Sequence, residues 1–462
     1  MTMSFTSATT LLNQRELLND ARVESMNDLF MDLPLELIEA IFTIAVADAS
    51  LQRQSTESPP DYSIESARAP YRIASVCRDW RNLARQCPSL WTYIGAPQGM
   101  SESHIEYIST NLKLSSQTPL DIILNFIDSQ PAVAAFNLIA RHVDRWRRCF
   151  LLSLDPETIL NWDCLSAPTP FLEVLVMVTN GHRLMVDQPT VDQGGFLPAA
   201  PRLRQLNNHA LCTAPVQPWP VLVHLTLNLR DATNESLWKT LTHTPNVNEV
   251  RLLFQFNLTR PPLLAPSHDI NLPHLETITL LGRTDFDGAP ECVSRLKMPG
   301  LRNVIISSYG CDALGSFFKE FSHQVHNLCI IYENPSHLAW RDAQVLRCLI
   351  NLETITILGN GEPGPDGMEF VEFFETLAEP DDHGGMVFSQ LREMKIDGCG
   401  FLPDDYQGLL AFLRLHGSPQ RPLEFILDSQ ESMLFYGPTF LSGTNSADRD
   451  HGTNTGSDSS AD

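Results

Sequence analysis

The chain has 462 residues, of which 43% are hydrophobic and 19% charged, so it is too apolar to be mostly disordered and should bury a sizeable core. Its formal net charge of −23 argues against binding to nucleic acid or an anionic membrane, because phosphate groups need a basic surface. No run of about 20 apolar residues could span a bilayer, and the first thirty residues lack the pattern of a signal peptide. We therefore expect a protein of the cytoplasm or nucleus.

The two ends of the chain have compositions typical of tails. Residues 1–28 are mostly polar, and we expect a flexible N-terminal segment. Residues 442–462 are almost entirely Ser, Thr, Asn, Asp and Gly, which cannot bury enough apolar surface to offset the entropy of ordering. The sequence therefore predicts a disordered C-terminal tail.

The pattern of residues 29–95 predicts a compact block of three short helices. Pro34 suits a first helical turn, where its missing N–H needs no partner. The apolar positions that follow are predicted to form one face, at Leu37, Ile38, Ile41, Phe42 and Ala45. A second helix is predicted over residues 71–86, and a polar insertion at 48–69 predicts an exposed loop. Such a small block cannot hide all of its bulky side chains, so its surplus apolar face should meet either a neighbouring domain or a partner.

Residues 118–441 change to alternating apolar runs that share the template Pro-x-Leu-x-x-Leu-x-Leu. The first leucine of the template, or its substitute, recurs at Leu172, Leu203, Leu222, Val247, Leu275, Leu301, Val325, Leu352, Leu391 and Leu423. A period near 20–30 residues with Leu-x-x-Leu-x-Leu is the signature of leucine-rich repeats, and the irregular spacing of the copies predicts a degenerate version. Each copy should give one short strand with apolar residues pointing inward, stacked ~4.8 Å from the next. We call these ten positions the anchors.

Three segments of the helical block together resemble an F-box. They are Leu33-Pro34-x-Glu36-Leu37-Ile38-x-x-Ile41-Phe42, then Val76-Cys77-Arg78-x-Trp80-Arg81, then Leu90-Trp91. With the repeats behind it, the chain is similar to the F-box/leucine-rich-repeat proteins abundant in mushroom-forming fungi. The segment 145–148, Arg-Trp-Arg-Arg, is similar to a feature of the same group. The expected fold class is α+β, with an N-terminal three-helix F-box followed by a degenerate leucine-rich-repeat α/β solenoid.

The resemblance implies a non-catalytic adaptor of an SCF ubiquitin ligase, whose F-box docks on a Skp-type subunit and through it on a cullin. The repeats would bind a protein substrate. The residues implied at the Skp interface, or directly supporting it, are Leu33, Pro34, Leu37, Ile38, Ile41 and Phe42. Those implied in the F-box core are Val76, Cys77, Trp80 and Trp91. A basic stripe at Arg78, Arg81 and Arg85 could be a solvated face or a contact with an acidic adaptor.

The substrate face is expected to use the residues that alternate with the buried template positions, because successive side chains of a strand point to opposite faces. The polar or charged candidates are His224, Glu249, Arg251, Asn303, Glu393 and Lys395.

Two other functions stay open at this point. A repeat scaffold without a ligase role would share the same pattern. A nucleotide-binding enzyme is suggested by the Gly-x-Gly-x-x-Gly match at 359–364, but Pro363 removes an N–H donor and Glu362 would repel a phosphate. The ten cysteines contain no Cys-x-x-Cys motif, and His323 and His326 have no evident third ligand, so we expect neither a metal nor a cofactor.

Overall fold

The computed structural model divides into two units, Met1–Asn248 and Glu249–Asp462, which we describe separately. The structure describes residues 33–51, 64–96, 101–126, 130–154, 162–179, 196–208, 215, 217–228, 234–253, 266–281, 295–307, 314–331, 340–359, 368–380, 387–397, 405–417, 423–427, 431–435 and 440–441. The segments predicted to be tails, residues 1–28 and 442–462, lie outside these ranges.

The first unit joins a helical block to a parallel sheet. Its elements are α1 (Leu35–Leu51), α2 (Ile64–Ser75), α3 (Arg78–Gln86), β1 (Tyr93–Ala96), α4 (Glu102–Leu114), β2 (Leu120–Asn125), α5 (Gln130–Ala140), β3 (Trp146–Leu154), β4 (Val174–Thr179), β5 (Gln205–Asn208), β6 (His224–Asn228) and α6 (Asn234–Thr242). Short 3-10 turns occupy Pro88–Trp91, Val143–Arg145 and Trp162–Ser166. Strands β1 to β6 pair in parallel, each with the next along the chain.

The second unit continues with strands and short helices. Its elements are β7 (Glu249–Leu253), β8 (Ile270–Asn271), β9 (Thr277–Leu281), β10 (Leu296–Lys297), β11 (Asn303–Ser307), α7 (Gly315–Phe321), β12 (Asn327–Ile331), α8 (Trp340–Leu346), β13 (Thr354–Leu358), α9 (Met368–Ala378), β14 (Glu393–Asp397), α10 (Asp405–His416), β15 (Leu423–Leu427), β16 (Glu431–Phe435) and β17 (Phe440–Leu441). The longer strands from β7 to β15 are parallel neighbours, while β16 and β17 are added antiparallel. Strands β8 and β10 pair only with each other.

The anchors are buried, and their local geometry explains the template. All ten are between 0% and 2% exposed. In eight of them the amide N–H donates to the carbonyl three residues earlier, at 3.1–3.3 Å, which closes a turn immediately before the strand. A proline two residues before an anchor therefore occupies the second position of the turn, where its fixed φ is favoured. Proline stands at this position before six of the ten anchors and favours the turn by which the chain enters those strands.

The last copy departs from the pattern. After the other nine anchors a strand begins two residues later, whereas β15 begins at Leu423 itself. The register pairs Glu424 with Glu393, so Leu423 is one residue out of step with Leu391. The sequence identified the right strand with the wrong register.

The helical block differs from its prediction in two places. The helix predicted over 71–86 is interrupted at Val76-Cys77, where Cys77 Sγ accepts the Trp80 N–H at 3.4 Å and caps α3. Cysteine is a weak hydrogen-bond acceptor, so its sequence gave no capping signal. The predicted loop 48–69 is helical at both of its ends, because α1 runs to Leu51 and α2 begins at Ile64. Within the described residues, no helix is both long and apolar enough to cross a membrane.

Candidate functional site

Helix α1 carries two apolar rows with opposite surroundings. Ile38 and Phe42 are one turn apart and only 2% and 1% exposed. Leu37, Ile41 and Ile44 follow the i, i+4, i+7 spacing of a second helical row, and they are 51%, 44% and 67% exposed. The sequence predicted one apolar face; the structure corrects this to one buried row and one exposed row.

Aromatic packing fixes the buried row. Phe42 lies against the Trp80 ring, with centroids 5.2 Å apart. Trp91 is buried and donates its Nε1–H to the Ala84 carbonyl at 2.7 Å, while the Tyr71 ring meets it edge-on at 5.1 Å. The remaining buried members of this cluster are Cys87 and Leu90. A closely packed interior of this kind holds α1 in one orientation, and therefore fixes the direction in which its exposed row points.

The hydroxyl of Tyr71 links the helical block to the next helix. It donates to Asn111 Oδ1 at 2.7 Å, which joins α2 to α4. Burial raises the pKa of Tyr71 to about 12, so this donor stays protonated at neutral pH.

The six residues predicted at an adaptor interface separate accordingly. Leu37 and Ile41 are exposed, as is Pro34, whose carbonyl accepts the N–H groups of Leu37 and Ile38 at 3.0 and 3.2 Å. Leu33 is half-buried against the core, and Ile38 and Phe42 belong to it. The sequence analysis did not predict two further exposed apolar residues of α1, Leu35 and Ile44. Ile44 follows Ile41 by three residues, which is the spacing of neighbours on one helical face.

One predicted core residue needs correction. Val76 is 55% exposed, because it lies in the short connection between α2 and α3 rather than on a helix face. Cys77 and Trp80 are half-buried, and Trp91 lies in the core.

Exposed arginines cover the two helices next to α1. Residues 64–86 contain five arginines but only Glu65 and Asp79 as acidic residues, in a chain of net charge −23. All five are exposed: Arg68, Arg72, Arg78, Arg81 and Arg85. Arg81 donates its Nε–H to the Ala74 carbonyl at 3.0 Å, which anchors one of them across the α2–α3 turn.

In the second unit, the structure aligns the predicted substrate-face residues in two rows of the sheet. Glu249, Asn303 and Glu393 occupy equivalent register positions in β7, β11 and β14. Side-chain hydrogen bonds connect part of this row, from Asn327 Nδ2 to Asn303 Oδ1 at 2.7 Å and from Asn303 Nδ2 to Thr277 Oγ1 at 3.0 Å. Sequence reasoning missed Thr277 and Asn327, although both follow their anchors by two residues.

Arg251 and Lys395 lie in the next row of the same face. Each is balanced by an acid on its own strand, with Arg251 Nη2 3.8 Å from Glu249 Oε1 and Lys395 Nζ 3.7 Å from Asp397 Oδ2. Such half-exposed pairs contribute little to stability.

In the first unit, His224 is exposed and shares a row with Gln205, Val174, Arg148 and Asp121. His224 lies in the first unit, which also carries the Arg-Trp-Arg-Arg segment, whereas the other five candidates lie in the second unit. The charged cluster of that segment was not foreseen.

That cluster gathers two arginines around one carboxylate. The register pairs Leu120 with Trp146 and Asp121 with Arg148, so Arg147 is an extra residue in β3. Arg147 binds Asp121 with two parallel hydrogen bonds, from Nε to Oδ1 at 2.8 Å and from Nη2 to Oδ2 at 2.6 Å, and Arg148 adds one from Nη2. Burial opposes ionisation of Asp121, but the hydrogen bonds from Arg147 and Arg148 outweigh it and hold its pKa below the usual value.

The chemistry-bearing groups do not converge elsewhere in the described ranges. Among those residues, no three His, Cys, Asp or Glu side chains come together as a metal site. Most of the Gly359 loop, residues 360–367, lies outside the description. Burial raises the pKa of Cys164 to about 12 and that of Cys348 to about 11, so both thiols stay protonated at neutral pH.

No protein-family model matches the sequence, and no curated protein matches it significantly.

Proposed function

We propose that this chain is the substrate-binding adaptor of an SCF-type ubiquitin ligase. Residues 33–96 dock on a Skp-type subunit through the exposed row of α1, and the strands of the two units present a protein substrate. The chain supplies no catalytic group; it raises the local concentration of substrate lysines near the ubiquitin donor.

The exposed row of α1 carries the proposal. Three large aliphatic side chains, Leu37, Ile41 and Ile44, project from one face of a helix whose opposite face is tightly packed. A contiguous apolar row of this kind on an otherwise polar surface is typical of a helix that packs against another protein. The F-box resemblance supplies the identity of that protein.

The charge of the neighbouring helices favours an acidic partner. The arginines of α2 and α3 are exposed on helices that belong to the same helical block as α1, whereas the chain as a whole is strongly acidic. A basic surface on this block would steer an acidic subunit towards it and suppress contact with basic proteins.

The test measures binding of the full-length chain to a purified Skp-type subunit. Leu37→Gln combined with Ile41→Gln should weaken binding about tenfold or more, because truncating central apolar contacts removes most of the energy of such an interface. The matched control is Leu415→Gln, since Leu415 is also an exposed helical leucine, 40% accessible on α10. Circular dichroism should show that all variants are folded.

A wild-type chain that does not bind the Skp-type subunit would reject the adaptor role and favour the alternative function, a repeat scaffold without a ligase role. A double variant that binds as tightly as the control would reject the exposed row of α1 as the docking surface.

A further inference from the structure

The first unit carries a basic surface at the start of its strands. We define the arginine patch as Arg147, Arg148, Arg202 and Arg204. Arg147 and Arg148 begin β3, and Arg204 directly precedes β5. The backbone connects the patch, since Glu173 N–H donates to the Arg147 carbonyl at 2.7 Å and Arg204 N–H donates to the Glu173 carbonyl at 2.8 Å. The patch therefore lies where the neighbouring strands β3, β4 and β5 begin.

The patch has more positive charge than its neighbours neutralise. Among the described residues, the acids whose charge acts on Arg147 are Asp121 and Glu173, against four arginines in the patch. Arg147 and Arg148 keep 40% and 33% of their side-chain exposure, while Asp121 keeps 12%. Arg202 is exposed and holds its guanidinium 5.5 Å above the Phe171 ring. This cation–π contact orients the Arg202 side chain, and it does not neutralise the positive charge as a carboxylate would.

The fold needs only one of the two arginines at Asp121. Arg147 already satisfies both carboxylate oxygens with a bidentate pair. Arg148 contributes a single hydrogen bond through Nη2, and within the described residues its Nε and Nη1 have no protein acceptor. A half-exposed guanidinium with unused donors beside a second one is suited to binding another carboxylate.

The row of the second unit that is equivalent to the row of Arg148 has the opposite charge. It carries Glu249, Glu393 and Glu424, with Thr or Asn in the strands between. An acidic ligand would be attracted to the patch and repelled from this row. This difference in charge therefore indicates both where a ligand would bind and that the ligand would be acidic.

We propose that the arginine patch binds an acidic polypeptide segment of the substrate. His224 marks the far end of the surface, three strands from Arg148, which is about 14 Å at ~4.8 Å per strand. An extended segment of about four residues spans that length. Describing the segment as part of a substrate rests on the proposed function; the binding itself does not.

The test uses the full-length chain and fluorescein-labelled octaglutamate, measured by anisotropy at low ionic strength. Wild type should bind this peptide, and added salt should weaken the binding. Arg148→Gln combined with Arg204→Gln should weaken it about tenfold or more, because two charge-assisted contacts are lost. Asp121 keeps its bidentate partner in this variant, so the fold should persist, which thermal unfolding checks.

The matched control is Arg141→Gln combined with Arg302→Gln. It removes the same charge from two exposed arginines outside the patch, and Arg302 holds the same turn position in the second unit that Arg204 holds in the first. The control should bind octaglutamate like wild type.

Three results would overturn the proposal: no binding by wild type at low salt, equal weakening in both double variants, or tighter binding of an oligothymidylate of equal charge. Capture of the Skp-type subunit by the wild-type chain keeps the two proposals apart. A wild-type chain that binds octaglutamate but does not capture the subunit rejects the ligase role alone, and one that captures the subunit but does not bind octaglutamate rejects the patch alone.

Discussion

Helix α1 and the strands of the sheet use the same residue types, leucine and isoleucine, in opposite ways. The anchors of the strands are at most 2% exposed, whereas Leu37, Ile41 and Ile44 are 44–67% exposed. A strand of the repeats has neighbours on either side and its apolar face is covered, while α1 is packed along one face only. The comparison teaches that an apolar pattern predicts an amphipathic element, and that packing decides which of its rows becomes core.

Replacing one residue from each row of α1 by alanine tests this difference through the loss of stability. Phe42→Ala should lower the free energy of unfolding of the helical block by about 3–5 kcal/mol, since it leaves a cavity beside Trp80 and Trp91. Ile41→Ala, one position earlier, should cost below about 1 kcal/mol. Denaturant unfolding followed by tryptophan fluorescence measures both. Similar losses would mean that the exposed row is packed in solution.

The sealed interior of the second unit offers a second test, through a histidine. His416 is 4% exposed, at the end of α10, and its ring lies 4.4 Å from Phe412 and 5.9 Å from Phe388. Burial lowers its pKa to about 4. An unfolded histidine titrates near 6.5, so protonation favours the unfolded state as the pH falls from about 6.5 to about 4.

We therefore expect His416 to make the second unit acid-sensitive. Stability should be fully present above pH ~6.5 and should fall by up to about 3 kcal/mol by pH ~4. His416→Phe keeps the aromatic contacts and should remove this part of the pH dependence, whereas the exposed His323→Phe should not. Equal pH profiles for wild type and His416→Phe would show that the buried imidazole is not the titrating group.

Local patterns in the sequence predicted more of this fold than of its surfaces. The anchors, six of them preceded by a proline, identified nine strands that begin two residues later, because a turn and a buried apolar residue are encoded within a few residues. The break at Val76 was missed because a cysteine provides the cap of α3.

The candidate surfaces depended on pairing that is distant in sequence. Asp121 and Arg147 are 26 residues apart, and only the register of β2 and β3 brings them together. The division of α1 into two rows likewise depends on Trp80 and Trp91, far along the chain. No local pattern contains this information, so the arginine patch and the exposure of Ile44 emerged only from the structure.

The smallest predicted effect concerns how closely helices pack in the second unit, in contrast to the open face of α1. A Cβ added at Gly408 in α10 would lie 2.8 Å from the Val371 carbonyl oxygen and 3.1 Å from its Cα, both on the backbone of α9. Gly408→Ala gains about 1 kcal/mol of helix propensity. Overpacking against a backbone costs about 1–3 kcal/mol, so we expect a net loss of up to about 2 kcal/mol.

Gly315 provides the matched control for that substitution. A Cβ at Gly315, the first residue of α7, meets only Val345 Cγ2 at 3.8 Å, an ordinary contact. Gly315→Ala should therefore be neutral or stabilise by about 0.5 kcal/mol, by restricting the unfolded chain. Thermal or denaturant unfolding of the second unit measures the pair. If Gly408→Ala stabilised the protein as well, the two helices would have to separate by several tenths of an ångström without penalty, and the close packing that distinguishes them from α1 would be absent in solution.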